Sequence, residues 1–480
     1  MTAWSTSFEA FAAPILAAED VAGLAVALAE GGRPVYFRGF GQRDRARGLP
    51  VTEHTVFGIG SITKSFTAVA VMQLQEAGRL SVDDPVARHV PELRVAHAGG
   101  QAPMRIRHLL SHSAGLPPLP TLRATLVRSL LSDPDVKDEV RAKLPAPVDT
   151  WDQLIAFLNA LDIEPLGRPG DVFSYSNDGY ALLGLIVERA SGEPYSRYVE
   201  RHILGPAGMR ETMFDIAPHV DGPDTTRLYN PKKDQGGRPL AYDAGPWWDA
   251  GPMTAAGFLR SSAHDMLRYL DIYRTGGKVG DESILSPESV GEMVTPRIVC
   301  GARMDYGYGL MLTADHAGVR LVEHGGNIKG AAAWVTVVPE RGLTAVGLSN
   351  LSGAPTSRLL LAAVNAALGI RPDRLRAEFP LPFAPTAPLS DYEGVYASDE
   401  EARMEVRKAE AGLVVEVQDE RHPLRAVAPD AFVFDAHGDQ SYIRFLRAPD
   451  GRVAAVAAHF RVVRRVGDVA SETRAQAGGR

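Results

Sequence analysis

The chain has 480 residues, 45% of them hydrophobic and 23% charged, and a net charge of −7. That length exceeds what one hydrophobic core usually supports, so two domains are expected, and the acidic balance argues against a nucleic-acid binder, which would want a basic face. A single cysteine, Cys300, excludes an internal disulfide framework; Arg297-Ile298-Val299-Cys300-Gly301 offers no catalytic pattern, so a packed small apolar residue is expected there.

Met1–Glu9 lacks the basic start and long apolar run of a signal peptide, and the apolar stretch 21–29 is too short to span a membrane. A cytoplasmic protein is the expectation, with a periplasmic or secreted one left open if a leader was removed.

Trp4, Phe8, Phe11 and Ile15 recur at helical spacing and predict an amphipathic helix over 3–18. Val21–Ala29 and Pro34–Gly39 flank Glu30-Gly31-Gly32 as a hairpin. Val56-Phe57-Gly58 leads to Gly60-Ser61-Ile62-Thr63-Lys64 and a helix, apolar nearly all round, that closes at Gly78. Residues 121–150 are mixed and charged, fit for a helical insertion, and Trp151–Leu161 reads as a helix. A turn at Pro169-Gly170-Asp171 precedes Phe173–Asp178, and Gly179–Ala190 is a strong apolar helix. Residues 218–250 read as a long surface loop that ends near Trp247-Trp248. Ser262–Tyr273 is helical, residues 332–338 and 343–348 form a second hairpin, and Leu359–Leu368 is a short helix.

Five prolines between Arg371 and Ser390 mark a linker. Beyond it the pattern changes to short alternating strands: Met404–Arg407, Leu413–Val417, Phe432–Phe434, Tyr442–Leu446 and Val453–His459. Ala411-Gly412, His437-Gly438-Asp439 and Pro449-Asp450-Gly451 are the turns, and a small antiparallel sheet or barrel is expected. The polar residues 466–480 read as a flexible tail.

Ser61 and Lys64 stand three apart, so on a helix their side chains share a face. An amine in a partly dry site loses its proton more readily, and could then activate the hydroxyl as a nucleophile. Taken alone, the pair equally fits a serine near a helix cap and a solvated lysine. Downstream come Tyr175-x-Asn177, in a loop before a helix, and His324-Gly325-Gly326, before a hairpin strand. Singly, Tyr175 fits a half-buried aromatic and Asn177 a helix cap.

The ordered set resembles the serine β-lactamase and penicillin-binding-protein superfamily, nearest its class C β-lactamase, D,D-carboxypeptidase, D-aminopeptidase and esterase branch. The likeness runs over roughly 10–370 and includes His112-Ser113-Ala114-Gly115-Leu116-Pro117 and Gly205-Pro206-Ala207-Gly208-Met209. It implies an α/β (α+β) catalytic domain over 1–370 with an antiparallel sheet flanked by helices. A Pro-rich linker over 371–390, a lipocalin-like β-barrel domain over 391–465 and the tail over 466–480 would follow.

The resemblance also implies roles. Ser61 would be the nucleophile, Lys64 and Tyr175 the base, with Tyr175 a phenolate whose pKa Lys64 lowers. Asn177 would bond Lys64 and a substrate amide. The oxyanion would meet the N–H groups of Ser61 and Asn327, beyond Gly326. His324 and Gly325 replace the Lys and Thr that help hold a substrate carboxylate in the relatives, which disfavours β-lactams and favours esters, amides or small peptides, D-residue peptides among them. An acyltransferase on the same nucleophile, or a non-catalytic ligand-binding relative, are the alternatives. No cofactor and no metal are expected: His108 and His112 are four apart, but no Glu follows His108 as zinc hydrolysis would want. A small-molecule or peptide substrate is the expected partner, with no nucleic acid and no membrane, and a homo-oligomer is left open. The C-terminal barrel is expected to be a structural accessory.

Overall fold

In the computed structural model the described residues are 2–95, 102–216, 222, 224–379, 383–385, 387–400, 402–410, 412–417, 420–436 and 439–469. The amphipathic helix forms over Ala3–Ala18, with Thr2 capping it and Phe8 and Ala12 buried. The first hairpin runs Gly23–Glu30 and Arg33–Asp44. Leu24, Val26 and Leu28 pack on one side of the first strand, while Ala25 and Ala27 join the main core on the other. A strand covered on both faces reads as one continuous apolar run, which is what Gly23–Ala29 shows.

That strand is interior to a nine-stranded antiparallel sheet. In spatial order the strands are Ile298–Gly301, Met304–Tyr306, Met311–His316, Val319–Ile328, Ala331–Val338, Leu343–Ser349, Gly23–Glu30, Arg33–Asp44 and Leu49–Pro50. Helices Ala3–Ala18 and Thr356–Ala367 cover one face. The helical region lies on the other, built on Thr63–Glu76 and Asn177–Ser191, both largely buried. The insertion over 121–150 holds short helices at Thr121–Thr125, Val127–Ser132 and Asp138–Arg141.

Three expectations are corrected here. Residues 218–250 are not one loop: Tyr229–Lys233 and Pro239–Asp243 pair as a hairpin, with 218–221 and 223 outside the described residues. His324-Gly325-Gly326 does not precede a strand but lies inside Val319–Ile328, paired with Ala331–Val338. Ser61 sits in a 3-10 turn, Gly60–Ile62, and the α-helix begins only at Thr63.

After the linker, eight strands close a barrel. They run from Gly394–Ala397 to Arg461–Gly467, and the first pairs with the last. Tyr396, Val406, Val415, Phe432, Phe434, Phe445 and Val456 fill it. Of the expected turns, Ala411, His437 and Gly438 lie outside the described residues, as do Pro380 and Pro382 of the linker and residues 470–480. The linker is fastened to the sheet: Arg376 donates to both carboxylate oxygens of the buried Glu323 at 2.9 Å, and its guanidinium lies 4.7 Å from the ring centre of Trp334. Among the described residues no helix is long and apolar enough to cross a membrane.

Candidate active site

The turn carrying Ser61 is held by close backbone approach. Gly60 has φ of +50°, and a Cβ there would meet the Asn327 nitrogen at 2.7 Å. A Cβ on Gly326 would stand 1.9 Å from the Ile59 carbonyl oxygen. Only glycine at both positions lets the strand Val319–Ile328 press against the turn and bring Asn327 beside Ser61. Thr63 fixes the turn from within: its hydroxyl donates to the Gly60 carbonyl at 2.7 Å and accepts from Leu259 N–H at 3.1 Å.

Lys64 has no exposed surface. Its Nζ lies 3.1 Å from Ser61 Oγ, 2.9 Å from Asn177 Oδ1 and 2.5 Å from the Ala256 carbonyl oxygen. Burial holds its pKa well below that of an ordinary lysine; the nearby Arg461 cation lowers it further, and Glu400 opposes that. Asn177 does not cap its helix. Ser176 does, accepting from Gly179 N–H at 3.0 Å, which leaves the Asn177 side chain free for Lys64.

The Tyr175 ring centre is 4.7 Å from Lys64 Nζ, and Ser61 is near enough to influence the phenol. Its expected phenolate state is corrected. Burial raises the Tyr175 pKa above that of an ordinary phenol, outweighing Ser61 and Arg461, which lower it. The site therefore gathers Ser61, Tyr175 and Asn177 around Lys64, with a neutral phenol.

His324 lies beneath this group, fully buried. Its Nδ1–H donates to the Gly325 carbonyl at 2.6 Å, and its Nε2 accepts from the Tyr306 hydroxyl at 2.9 Å. Burial, then Lys64, push its pKa down to about 3, so the ring is neutral with both nitrogens engaged. Gly325 also has a physical reason: a Cβ there would meet the Trp334 ring at 2.3 Å. An indole occupies the space that a threonine side chain would need. Of the tryptophan pair, Trp247 packs against Gly58, three residues before Ser61, and Trp248 Nε1–H donates to Asp133 at 2.7 Å.

Sequence reasoning missed the barrel's part in the site. The turn joining its last two strands puts His459 and Phe460 at φ of +47° and +65°. The Phe460 carbonyl accepts Tyr175 N–H at 2.8 Å. The Arg461 guanidinium lies 4.8 Å from the Tyr175 ring centre and pairs with Glu400 at 2.8 Å. Arg464 also donates to the Pro165 carbonyl at 2.9 Å. Nothing local in His459-Phe460-Arg461 signals this; the docking is wholly tertiary.

His108 and His112 do not form a metal pair: His108 Nδ1 accepts from Arg105 N–H at 3.1 Å, and His112 Nδ1 from Ser176 N–H at 3.0 Å. Among the described residues one other group, His54, Glu211 and His264, has ligand atoms within 4.8 Å of one another. Its carboxylate is already bonded, to His54 at 2.7 Å and to Ser262 at 2.5 Å.

Comparison with known proteins fits this arrangement. A protein of Mycobacterium tuberculosis, Rv1367c, is 33% identical over 274 residues, which is 54% of this chain and 63% of that protein. The chain thus spans under two thirds of that relative's length. Esterase EstB of Burkholderia gladioli is 29% identical over 64% of this chain and 79% of its own. Among solved structures, the octameric penicillin-binding protein homologue from Pyrococcus abyssi superposes with a TM-score of 0.68 at 29% identity, covering 96% of this chain and 99% of that one. SurE superposes with a TM-score of 0.68 at 26% identity, covering 97% and 99%. The beta-lactamase family pattern matches residues 8–369, the sheet and helical region that hold Ser61, Lys64, Tyr175 and His324, and the chain belongs to that family.

Proposed function

We propose that this protein is a serine hydrolase that forms an acyl-enzyme on Ser61 and cleaves esters or small amides and peptides. The observation that carries this reading is the set of partners around the Lys64 nitrogen. Asn177 Oδ1 and the Ala256 carbonyl oxygen can only accept hydrogen bonds, at 2.9 and 2.5 Å. A neutral amine has two hydrogens for them and one lone pair, which is left for Ser61 at 3.1 Å. Burial without a carboxylate partner favours that neutral form.

The steps follow. The Ser61 hydroxyl donates to Lys64, and the Tyr175 phenol donates to Ser61 Oγ. As Oγ attacks a carbonyl carbon, its proton passes to Lys64. The N–H groups of Ser61 and Asn327 receive the oxyanion. The leaving group takes the proton from Lys64, directly or through Tyr175, as its bond to the acyl carbon breaks. Water then repeats the sequence and frees Ser61.

Supports for the ester reading are the family membership and the 29% identity to an esterase. A neutral His324 and an indole over Gly325 leave that strand without a side-chain cation for a substrate carboxylate, which suits esters and amides that make no such demand. Transfer of the acyl group to an alcohol or amine uses the same intermediate, and a panel of acceptors scored for transfer against hydrolysis separates the two. The octameric Pyrococcus homologue supports a homo-oligomer here as well; a monomer in sedimentation would overturn that.

The test is a fluorophosphonate probe read by peptide mass spectrometry. A label on Ser61, with Ser61→Ala losing both label and p-nitrophenyl ester turnover by roughly 10³-fold or more, is the expected result. Undiminished turnover in the variant removes Ser61 from the chemistry, and a wild type that neither labels nor turns over supports the ligand-binding alternative.

A further inference from the structure

His112 has no task in the mechanism above, yet it touches Tyr175 from more sides than any element of that mechanism requires. It follows the helix Ile106–Leu110, is buried, and holds φ at +55°, a region where a side chain other than glycine is uncommon. Its carbonyl accepts Ser174 N–H at 2.9 Å. Its Nδ1 accepts Ser176 N–H at 3.0 Å. Both backbone donors that flank Tyr175 therefore end on one residue. The Tyr175 N–H itself goes the other way, to the Phe460 carbonyl at 2.8 Å. The imidazole also lies along the Tyr175 ring, with centres 4.1 Å apart and planes inclined by 31°.

Because Nδ1 accepts an amide hydrogen, the ring proton is on Nε2, and Nε2 is buried without a hydrogen-bond partner. Burial first, then Lys64, His324 and Arg461, hold His112 well below its ordinary pKa, so the ring stays neutral and Nδ1 stays an acceptor. A phenylalanine would fill the same space without an unmet N–H. What it could not do is accept from Ser176.

We propose that His112 is a positioning residue for the reaction: by clamping residues 174 and 176 with its carbonyl and Nδ1, it aims the Tyr175 hydroxyl at Ser61. The proposal rests on the acyl-enzyme reading above. Aim matters because a misplacement of about 1 Å can cost on the order of 10²-fold in rate.

Two variants separate aiming from filling, and they predict opposite outcomes. His112→Asn loses the ring, keeps an acceptor near the Nδ1 place and tolerates positive φ; it should keep kcat within about 10-fold of wild type. His112→Phe keeps a ring and loses the acceptor; it should lose on the order of 10²-fold in kcat with KM little changed. In a Tyr175→Phe background, which has no hydroxyl to aim, His112→Phe should add almost nothing. The proposal is overturned if His112→Phe matches wild type, if folded His112→Asn is as impaired as removal of Tyr175, or if the double variant is additive. Should His112→Phe not fold, the His112→Asn outcome decides alone. Ser61 labelling in the wild type is scored first, so failure of the acyl-enzyme reading shows as an unlabelled wild type, and failure of the His112 proposal as a labelled wild type with indifferent variants.

Discussion

Among the described residues two lysines are buried, and their surroundings give them opposite characters. Lys64 faces a hydroxyl, an amide oxygen and a backbone carbonyl, and burial drives its pKa well down. Lys329 is also buried, but it meets the carboxylate of Asp133, which in turn accepts from Trp248 Nε1. Burial pushes Asp133 up, yet its hydrogen bonds, that from Lys329 foremost, hold it below the ordinary carboxyl value. The comparison teaches that burial alone does not make a base. A buried amine beside a carboxylate remains half of an ion pair and ties the insertion to the sheet. A buried amine among neutral acceptors becomes available for proton transfer.

The sharpest way to break this contrast is to remove each lysine in turn. Lys64→Met should lower ester turnover by roughly 10²–10⁴-fold. Its thermal midpoint should hold or rise, because the lost amine had no ionic partner. Lys329→Met should do the reverse: it strands a buried Asp133 and costs roughly 3–5 kcal/mol of stability, measured by urea unfolding. The fraction that remains folded should still label at Ser61. Adding Asp133→Leu should recover much of that stability. If Lys64→Met destabilises as strongly as Lys329→Met, the two lysines do not differ as described.

A third buried charge sharpens the rule from the acid side. Asp178 is buried beside Asn177, and its Oδ1 has no hydrogen-bond partner. Burial raises its pKa from 3.8 to about 7. Its contribution to stability is then full below the unfolded value of 3.8 and is lost as pH rises through about 7. Asp178→Asn should flatten that decline, and an unchanged slope of melting temperature against pH across this window would remove Asp178 from the account.

The smallest effects should come from the barrel. Arg461 lowers the Lys64 pKa and Glu400 raises it. Arg461→Gln should therefore move the acid limb of kcat/KM to higher pH, and Glu400→Gln should move it lower. Equal limbs in both variants would mean that the barrel hairpin does not reach the Lys64 field.

Much of this was legible in the chain. The helix Ala3–Ala18 was readable because Trp4, Phe8, Phe11 and Ile15 repeat at its period. Ser61, Lys64, Tyr175 and Asn177 were readable as an ordered set, and the structure brings them into contact. Other elements were not legible, for definite reasons. Glu420–Ala428 carries Pro423 and several charges, since as one wall of a barrel it buries only Leu424 and Val427. Ile298–Gly301 and Met304–Tyr306 are too short to show a period. The tyrosine's protonation state was misjudged because Lys64 was expected to lower the phenol's pKa, whereas complete burial disfavours charge on both groups.

The sequence by itself determined the chemistry within reach of one turn: which residues carry the hydroxyl and the amine, and that glycine stands at 60, 325 and 326. Spacing along a helix or a turn is a local property, and local properties are written in order. Only the tertiary structure decided the states of those groups. Lys64 is neutral-leaning because residue 177 and residue 256 happen to close over it with uncharged oxygens. Gly325 is required by an indole nine positions on, and Gly326 by a carbonyl brought from residue 59. The barrel's Arg461 reaches Tyr175 from beyond the linker, across more than half of the chain. Desolvation and Coulomb interactions depend on distance through space, so no reading of neighbours in sequence could have supplied them.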